Sequence, residues 1–333
     1  MHGRSSLREE APGRNAWPDF IAAIAGSAAA LVALGLAVTT TVDPYWIVRA
    51  EPPWLRWTGG VNRHLDVEMR RAKPLQLFGR PASSVLIGSS VVYRGIRPSD
   101  MADGPAFNLG LSAMTAQELP VAAGLAAERP GVRRVVIGLD YFMFSGFRGP
   151  PPLDPGLVEG GRRALARLQA ALSLRALAGS RPGAIADATE PGEWRADGFK
   201  STPDYPPAVT RRIAAEQDFA AMPYRPETLA FLAAALDRLR DRDVRVYLTP
   251  LNKAQLALAS RAGREREIAR WREDVARLAA QRGVACHDLV TSHPFPDFDP
   301  DRGSSDFWLD NVHFKPALGR WLLRRLGLDA PAR

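Results

Sequence analysis

Five short apolar runs, separated by stretches with helical periodicity, constrain most strongly what this chain can fold into. Continuous apolar runs of this length are typical of strands buried on both faces, as in a parallel sheet. The alternation predicts an α/β fold, a three-layer doubly wound parallel sheet of about five strands. The five runs are "SVLIG" (84–88), "AFNLG" (106–110), "RRVVIGLD" (133–140), "VRVYLTPL" (244–251) and "VACHDL" (284–289).

The intervening stretches predict helices. Leucines three to four residues apart over 229–239, and apolar residues with the same spacing over 268–278, indicate amphipathic helices with charges on the other face. Gly283 suits the position that ends the second of these helices. Residues 114–128 predict a weaker helix with Pro120 in its early part.

One segment near the N-terminus is long enough to cross a membrane. From Phe20 to Val42 there are 23 residues without a charge, bracketed by Asp19 and Asp43. As a helix this segment would be about 35 Å long, against a hydrocarbon core of ~30 Å. It is longer than the apolar region of a signal peptide, and "GLAVTTT" is a poor cleavage site. We therefore expect an uncleaved anchor; the alternative is a buried Ala-rich helix of a soluble domain.

The predicted organisation has four parts. Residues 1–19 form a short cytoplasmic tail, 20–42 the transmembrane anchor, and 43–79 a membrane-proximal neck rich in Trp and Pro. Residues 80–330 form the α/β domain, expected on the outer side of the membrane. Arginines precede and follow the anchor in similar number, so the orientation depends mainly on the small size of the N-terminal tail.

An insertion at about 147–225 interrupts the strand–helix alternation. It contains "RGPPPLDPG" and one Leu/Ala/Arg helix at roughly 161–178, and we expect it to lie over one end of the sheet. Two interpretations of its aromatic residues remain open: they line a carbohydrate platform, or they pack the insertion onto the domain. These residues are Trp194, Phe199 and Tyr205.

Charge and cysteine content narrow the function classes. Basic residues number 44 and acidic residues 36, but no dense basic run is interleaved with aromatics, so nucleic-acid binding is disfavoured. The basic excess suits anionic lipid headgroups or an anionic polymer. Cys286 is the single cysteine, which excludes an internal disulfide and a multi-cysteine metal site.

Polar residues follow several of the predicted strands at the edge where an open parallel sheet binds ligands. Ser89 and Ser90 follow the first run, Asn108 and Gly110 end the second, and Asp140 ends the third. Near the C-terminus, "FWLDNVHFKPALG" contains Asp310 and His313, three residues apart, with Gly319 beyond. A serine hydroxyl becomes a nucleophile when a histidine accepts its proton and a carboxylate orients that histidine. These residues therefore predict a Ser-His-Asp arrangement, with either serine as the nucleophile.

The motifs resemble the sequence blocks of the SGNH (GDSL-type) hydrolase fold over roughly residues 80–325. By this resemblance, Ser90 takes the place of the nucleophile, because Gly88-Ser89-Ser90 matches G-D-S. "NLG" puts Gly110 at the oxyanion site, and "DNVH" makes Asp310 and His313 the acid and base. The resemblance implies that the backbone amides of Ser90 and Gly110 hold the oxyanion, and it implies no metal or organic cofactor. Tyr93, one turn beyond Ser90, is an uncertain site-lining residue, and Ser89 is another.

Asp140 departs from the family pattern, because it stands where the family has an asparagine that donates to the oxyanion. An ionised carboxylate cannot donate a hydrogen bond. Three alternatives remain open at the sequence level: Asp140 points away from the site, it is protonated, or Asn108 substitutes as the donor.

The whole layout is also similar to proteins of bacterial exopolysaccharide acetylation, including the alginate O-acetylation group, and to the lipoteichoic acid D-alanylation protein. The resemblance implies an acyl esterase or transferase, with acetyl as the expected group, acting on an exported or envelope polysaccharide from the bacterial inner membrane, on its periplasmic side. A membrane-bound O-acyltransferase is the partner it implies. The alternative is a catalytically inactive scaffold or polysaccharide-binding component of such a complex. A flavodoxin-like nucleotide binder is disfavoured because no Gly-rich phosphate loop is present.

Overall fold

A computed structural model of the chain describes residues 17–49, 64–180 and 192–330. Most of the predicted tail (1–16), the central part of the predicted neck (50–63) and a piece of the predicted insertion (181–191) lie outside the described residues.

The described elements alternate between helix and strand over most of the chain. Short 3₁₀ turns connect several of them, notably Ala116–Glu118, Tyr141–Phe144 and Phe219–Ala221. The strands are β1 (Ser84–Ile87), β2 (Ala106–Asn108), β3 (Arg134–Leu139), β4 (Glu193–Trp194), β5 (Lys200–Ser201), β6 (Asp243–Leu248) and β7 (Ala285–Asp288). The helices are α1 (Trp17–Val42), α2 (His64–Phe78), α3 (Ser90–Gly95), α4 (Leu119–Glu128), α5 (Gly160–Leu172), α6 (Leu174–Gly179), α7 (Pro207–Glu216), α8 (Leu229–Arg238), α9 (Lys253–Arg261), α10 (Glu265–Gln281) and α11 (Pro316–Arg325).

Five strands form one parallel sheet in the order β2-β1-β3-β6-β7. Each of the five predicted apolar runs contributes one of these strands, so the predicted α/β fold with a five-stranded parallel sheet is confirmed. The remaining two strands, β4 and β5, pair antiparallel inside the predicted insertion.

The central strands are buried on both faces. Val135, Ile137 and Leu139 of β3 pack into the larger apolar cluster. Val136, which points to the other face, packs with Leu86 into a second cluster. Helices cover both faces, which explains why these strands are mostly apolar; their polar residues, such as Ser84 and Arg134, stand at the strand starts.

Close packing of α3 against α11 aligns two distant parts of the chain. A Cβ added at Gly319 on α11 would collide with the carbonyl oxygen of Gly95 on α3, and one added at Gly95 would collide with the ring of Phe314. Glycine at these positions therefore lets the two helices approach closely. This approach brings the loop before α11 to the N-terminal end of α3.

Helix α1 is long and apolar enough to cross a bilayer. Its 26 residues span about 39 Å. Asp43 follows it with a φ of 48° and accepts hydrogen bonds from the N–H groups of Ile47, Val48 and Arg49 at 2.9, 2.9 and 2.8 Å. This turn attaches α1 to the α/β domain.

The helices around the insertion differ from the sequence-based expectation in two places. The single helix expected at 161–178 is two helices, because Ser173 ends α5 and its hydroxyl accepts from the N–H of Ala176 to begin α6. The helix expected at 114–128 begins only at Leu119, since Pro120 lacks an N–H and fits the first turn of a helix better than its interior.

The aromatic residues of the insertion pack it onto the domain. Trp194, Phe199 and Tyr205 are 3%, 1% and 8% exposed. Of the two interpretations left open by the sequence, the carbohydrate platform is therefore wrong for these three side chains.

Candidate active site

Ser90 lies at a sharp turn between β1 and α3. Gly88 in this turn has a φ of 155°, and a Cβ there would collide with Val92 and with the carbonyl oxygen of Gly138. Ser89 is the N-cap of α3, and its hydroxyl accepts from the N–H of Val91 at 3.1 Å. Capping uses the Ser89 oxygen as an acceptor, and this side chain is fully buried. Ser90, the first residue of the helix, is half-buried.

His313 reaches Ser90 across 223 positions of sequence. Its Nε2 lies 2.8 Å from Ser90 Oγ, and its Nδ1 lies 2.8 Å from Asp310 Oδ2. The structure therefore brings together the three side chains that the sequence singled out, in the order hydroxyl, imidazole, carboxylate. With Nδ1–H donating to Asp310, Nε2 is left as the acceptor for the serine proton.

Asp310 is fully buried and held in place by backbone donors. Its Oδ1 accepts from the N–H groups of Val312 and His313 at 2.7 and 2.8 Å. Burial alone would raise the pKa of Asp310, but the neighbouring His313 and these hydrogen bonds outweigh it and lower the pKa below its ordinary value. Asp310 is therefore an ionised carboxylate that orients the imidazole and stabilises its protonated form.

Asn108 and Gly110 bond to each other and do not line the pocket beside Ser90. The N–H of Gly110 donates to Asn108 Oδ1 at 3.0 Å. The amide nitrogen of Asn108 donates to the carbonyl oxygens of Val92 and Ile96, both at 3.0 Å. In this conformation the donors of Gly110 and Asn108 are engaged within the protein, and their expected oxyanion roles stay predictions. The two residues anchor the loop after β2 to helix α3.

Lys73 holds the loop after β2 through a hydrogen bond to its backbone. Its Nζ is fully buried and donates to the carbonyl oxygen of Gly110 at 2.6 Å. It also lies 4.8 Å from the ring centres of Tyr93 and Trp194. Burial lowers the pKa of Lys73 well below its ordinary value, an effect that Asp197 only partly offsets. Tyr93, an uncertain site-lining residue by sequence, belongs to this buried cluster and does not line the pocket.

Asp140 borders the pocket beside Ser90 and His313. Its Oδ1 accepts from Thr249 Oγ1 at 2.5 Å, whereas its Oδ2 is buried with no hydrogen-bond partner among the residues that the structure describes. Burial raises the pKa of Asp140 above its ordinary value, and the hydroxyls of Ser89 and Thr249 offset this only partly. Asp140 does not point away, and the amide of Asn108 is engaged in other hydrogen bonds. Of the three sequence-level alternatives, burial favours the neutral carboxyl, since desolvation raises its pKa.

A pocket of about 240 Å³ opens at Ser90 and His313. Polar groups, among them Arg94 and Gln255, occupy part of its border, but most of the lining is apolar. The insertion supplies one wall of the pocket, as its expected position over an end of the sheet would require. The residues of this wall are Phe147, Gln217, Phe219 and Met222.

The insertion wall is fixed to the body of the domain by Arg264, which directly precedes α10, and by Tyr141, in the turn after β3. Arg264 donates to the carbonyl oxygens of Phe219 and Ala220 at 3.1 and 2.6 Å. The hydroxyl of Tyr141 donates to the carbonyl oxygen of Met222 at 2.9 Å. These contacts hold the apolar wall in place through the protein's own hydrogen bonds.

Ala113 and Thr249 are among the pocket residues that sequence reasoning missed. Ala113, with a φ of 49°, lines the pocket next to Ser112, and Thr249 lines it beyond the end of β6. The sequence could have indicated Thr249, because it is a polar residue that directly follows a strand of the sheet, as Asp140 does. Nothing in the sequence indicates Ala113, because its unusual backbone conformation depends on the path of the loop and not on its residue type.

The described residues hold no group of three or more His, Cys, Asp and Glu side chains suited to bind a metal ion. Comparison with models of known protein families and with curated proteins finds no match for this chain.

Proposed function

We propose that this protein is a membrane-anchored serine esterase or acyltransferase of the SGNH-like type. The observation that carries the proposal is the hydrogen-bonded chain from Ser90 Oγ to His313 Nε2 and from His313 Nδ1 to Asp310. These hydrogen bonds join a half-exposed hydroxyl, a base and an ionised acid at the mouth of an apolar pocket. The turn after β1 and the D-x-x-H segment before α11 support the SGNH-like assignment.

In the proposed reaction, Ser90 Oγ attacks the carbonyl carbon of an ester while its proton passes to His313 Nε2. The protonated histidine then gives that proton to the departing alkoxide, which leaves an acyl group on Ser90. Water or an acceptor hydroxyl, deprotonated by His313, attacks this acyl-enzyme and releases Ser90. Asp310 stabilises the imidazolium in both steps.

The developing oxyanion needs donors close to Ser90, and three groups are available. The N–H groups of Ser90 and Ala113 belong to residues that line the pocket, and no acceptor is assigned to either among the described residues. The third donor is the carboxyl of Asp140 in its protonated form. Preorganised donors of this kind are each worth ~10²–10³ in rate.

The acceptor we propose is a hydroxyl of an exported or envelope polysaccharide, and the acyl group is acetyl or another short acyl group. Two features favour this substrate class: helix α1, which is able to hold the domain at a membrane surface, and the apolar lining of the pocket, which suits an acyl chain. In this proposal the domain faces the periplasm and receives its acyl group from a membrane-bound O-acyltransferase.

The test uses the purified full chain in detergent micelles with a fluorophosphonate probe and short-chain chromogenic esters. We expect labelling of the wild type, and no labelling of Ser90→Ala. The same substitution is expected to lower kcat/KM for ester hydrolysis by about 10³-fold or more, because the nucleophile is lost. Ser260→Ala, at an exposed serine on α9, is the matched control and is expected to behave as the wild type.

If the wild type is neither labelled nor active, or if Ser90→Ala is labelled like the wild type, the esterase proposal is wrong. An inactive scaffold would then be the better description of the domain. Transfer is separated from hydrolysis by adding a polysaccharide acceptor and measuring ester-linked acyl groups on the polymer.

A further inference from the structure

Helices α5 and α6 carry a row of leucines that faces away from the domain. Leu165, Leu168 and Leu172 lie on one side of α5 and are 54%, 50% and 43% exposed. On α6, Leu174 and Leu177 are 83% and 43% exposed. In a helix of a water-soluble domain the large apolar side chains face the core, and here they face outward.

The inward side of the same helices consists of small residues. Ala170 of α5 and Ala176 of α6 belong to the apolar core, and Ala166 packs against it. Alanine buries little surface, so these helices contribute modestly to the core while their leucines are left unpartnered. A row of five exposed leucines marks an interaction surface.

This surface lies beside the end of α1. Both α5 and α6 contact α1, and Arg167 donates to the carbonyl oxygen of Ile47 at 2.5 Å. Residues 17–34 of α1 are exposed along their whole length, and packing against the domain begins at Gly35. The exposed part is about 27 Å long, close to the ~30 Å of a hydrocarbon core. Helices α5 and α6 therefore flank the turns at which α1 would leave the bilayer.

The position of α5 and α6 relative to α1 is held by a polar joint. Asp43 binds three consecutive backbone N–H groups after α1. Gln76 and Arg80 donate to the carbonyl oxygens of Tyr45 and Trp46 at 2.6 and 2.8 Å. Because these bonds fix the turn to α2 and the domain, the leucine row keeps its place beside the membrane-exit end of α1.

Arginines border the leucine row. The side chains of Arg162 and Arg175 are 69% and 74% exposed. Long basic side chains of this kind extend to the headgroup level while neighbouring leucines enter the acyl region.

We propose that α5 and α6 form a second membrane contact, in which the five leucines insert into the headgroup–acyl boundary of the bilayer that α1 crosses. The domain is then held against the membrane at two places and has a defined orientation. This inference depends on α1 spanning the bilayer and not on the chemistry proposed for Ser90.

The test measures the depth of spin labels on the full chain reconstituted in lipid vesicles. Cys286→Ser removes the only cysteine, and single cysteines are then introduced as Leu168→Cys and Leu174→Cys. Arg324→Cys, on α11 at the opposite face of the sheet, is the control for a water-exposed site, and Leu31→Cys calibrates a site inside the hydrocarbon. We expect labels at 168 and 174 to lie about 5–10 Å into the interface, with collision rates with a water-soluble nickel chelate several-fold below that at 324.

Three results would overturn the proposal. The first is equal accessibility to the chelate at 168, 174 and 324. The second is protection that disappears when the protein is diluted in lipid, which would indicate contact between copies of the chain. The third is a label at 31 outside the hydrocarbon. Leu165→Gln combined with Leu172→Gln is expected to raise chelate access at 168 and leave the label at 31 unchanged.

Discussion

Asp140 borders the pocket with one carboxyl oxygen on Thr249 and the other buried without a partner among the described residues. The groups that face it are the hydroxyls of Ser89 and Thr249, the imidazole of His313 and the phenol of Tyr247. Desolvation disfavours the charged form of such a carboxyl, and only the neutral form donates a hydrogen bond. The protonation state of this residue therefore determines whether the pocket has a third donor for the oxyanion.

Replacing Asp140 by asparagine tests this interpretation through the pH profile. In the wild type the donor is present below the raised pKa of Asp140 and is lost as the pH rises through it, so ester hydrolysis should decline above that pKa. In Asp140→Asn the amide donates at every pH, and this decline should disappear. Above the pKa of Asp140 the variant should exceed the wild type by up to ~10²-fold, the value of one oxyanion donor.

The matched control is Asp310→Asn, which also exchanges a carboxyl for an amide. It is expected to lower kcat at all pH values, because the ionised carboxylate that orients His313 is lost. A uniform loss of activity in Asp140→Asn across the pH range would contradict the donor role and would show that a carboxylate is needed at this position.

Among the elements, α3 and α11 determine whether the nucleophile and base meet. Ser90 begins α3, and His313 lies three residues before the start of α11. The distance of 2.8 Å between their reacting atoms depends on how closely these two helices approach. That approach exists only because neither Gly95 nor Gly319 has a side chain.

Gly319→Ala is expected to push α11 away from α3. The added methyl group collides with the backbone of Gly95, which cannot move aside as a flexible side chain would. We expect a loss of about 1–3 kcal/mol in the free energy of unfolding, the usual effect of overpacking. Fluorophosphonate labelling of Ser90 should also slow, because His313 moves with α11.

Arg320→Ala, at the exposed neighbouring position of α11, is the control and should change the free energy of unfolding by less than about 0.5 kcal/mol. Denaturant unfolding measures the change in the free energy of unfolding, and the labelling rate measures the reactivity of Ser90. Wild-type stability and a wild-type labelling rate in Gly319→Ala would refute the assigned role of this contact.

At the scale of the whole molecule, the α/β domain and helix α1 are joined by the short turn that Asp43 organises. Burial raises the pKa of Asp43, and the three backbone N–H groups and Arg80 partly offset that effect. The turn is separate from the pocket, so the attachment of the domain and its chemistry are expected to respond independently to substitution.

Asp43→Ala tests this independence. The substitution leaves the N–H groups of Ile47, Val48 and Arg49 without their acceptor, and the buried one, that of Ile47, costs about 1–3 kcal/mol when unmet. We expect the turn to open, and limited proteolysis within residues 43–49 to become faster in detergent micelles. Hydrolysis of a small soluble ester should stay at the wild-type rate. A parallel loss of ester hydrolysis would indicate that the turn and the pocket are coupled.

The sequence by itself determined the features that depend on local chemistry. The five strands can be recognised because buried parallel strands are mostly apolar, and α1 because a helix able to span a membrane excludes charge. Ser90, Asp310 and His313 were identifiable because their residue types follow predicted strand ends or occur three apart. The side chains around them were not: Ala113, Thr249 and the wall formed by the insertion border the pocket through contacts between segments distant in sequence.

Tertiary structure alone decided how the donors near Ser90 are used. From the sequence, Gly110 and Asn108 were candidates for the oxyanion site and Asp140 was the exception to the pattern. In the folded chain, the N–H of Gly110 donates to Asn108, the amide of Asn108 donates to backbone carbonyls of α3 and its C-cap, and Asp140 lies at the pocket with a raised pKa. The physical reason is that folding decides which acceptor lies near each donor, and that burial shifts the pKa of a carboxyl group. Neither effect can be inferred from the residue type or from the spacing of a motif.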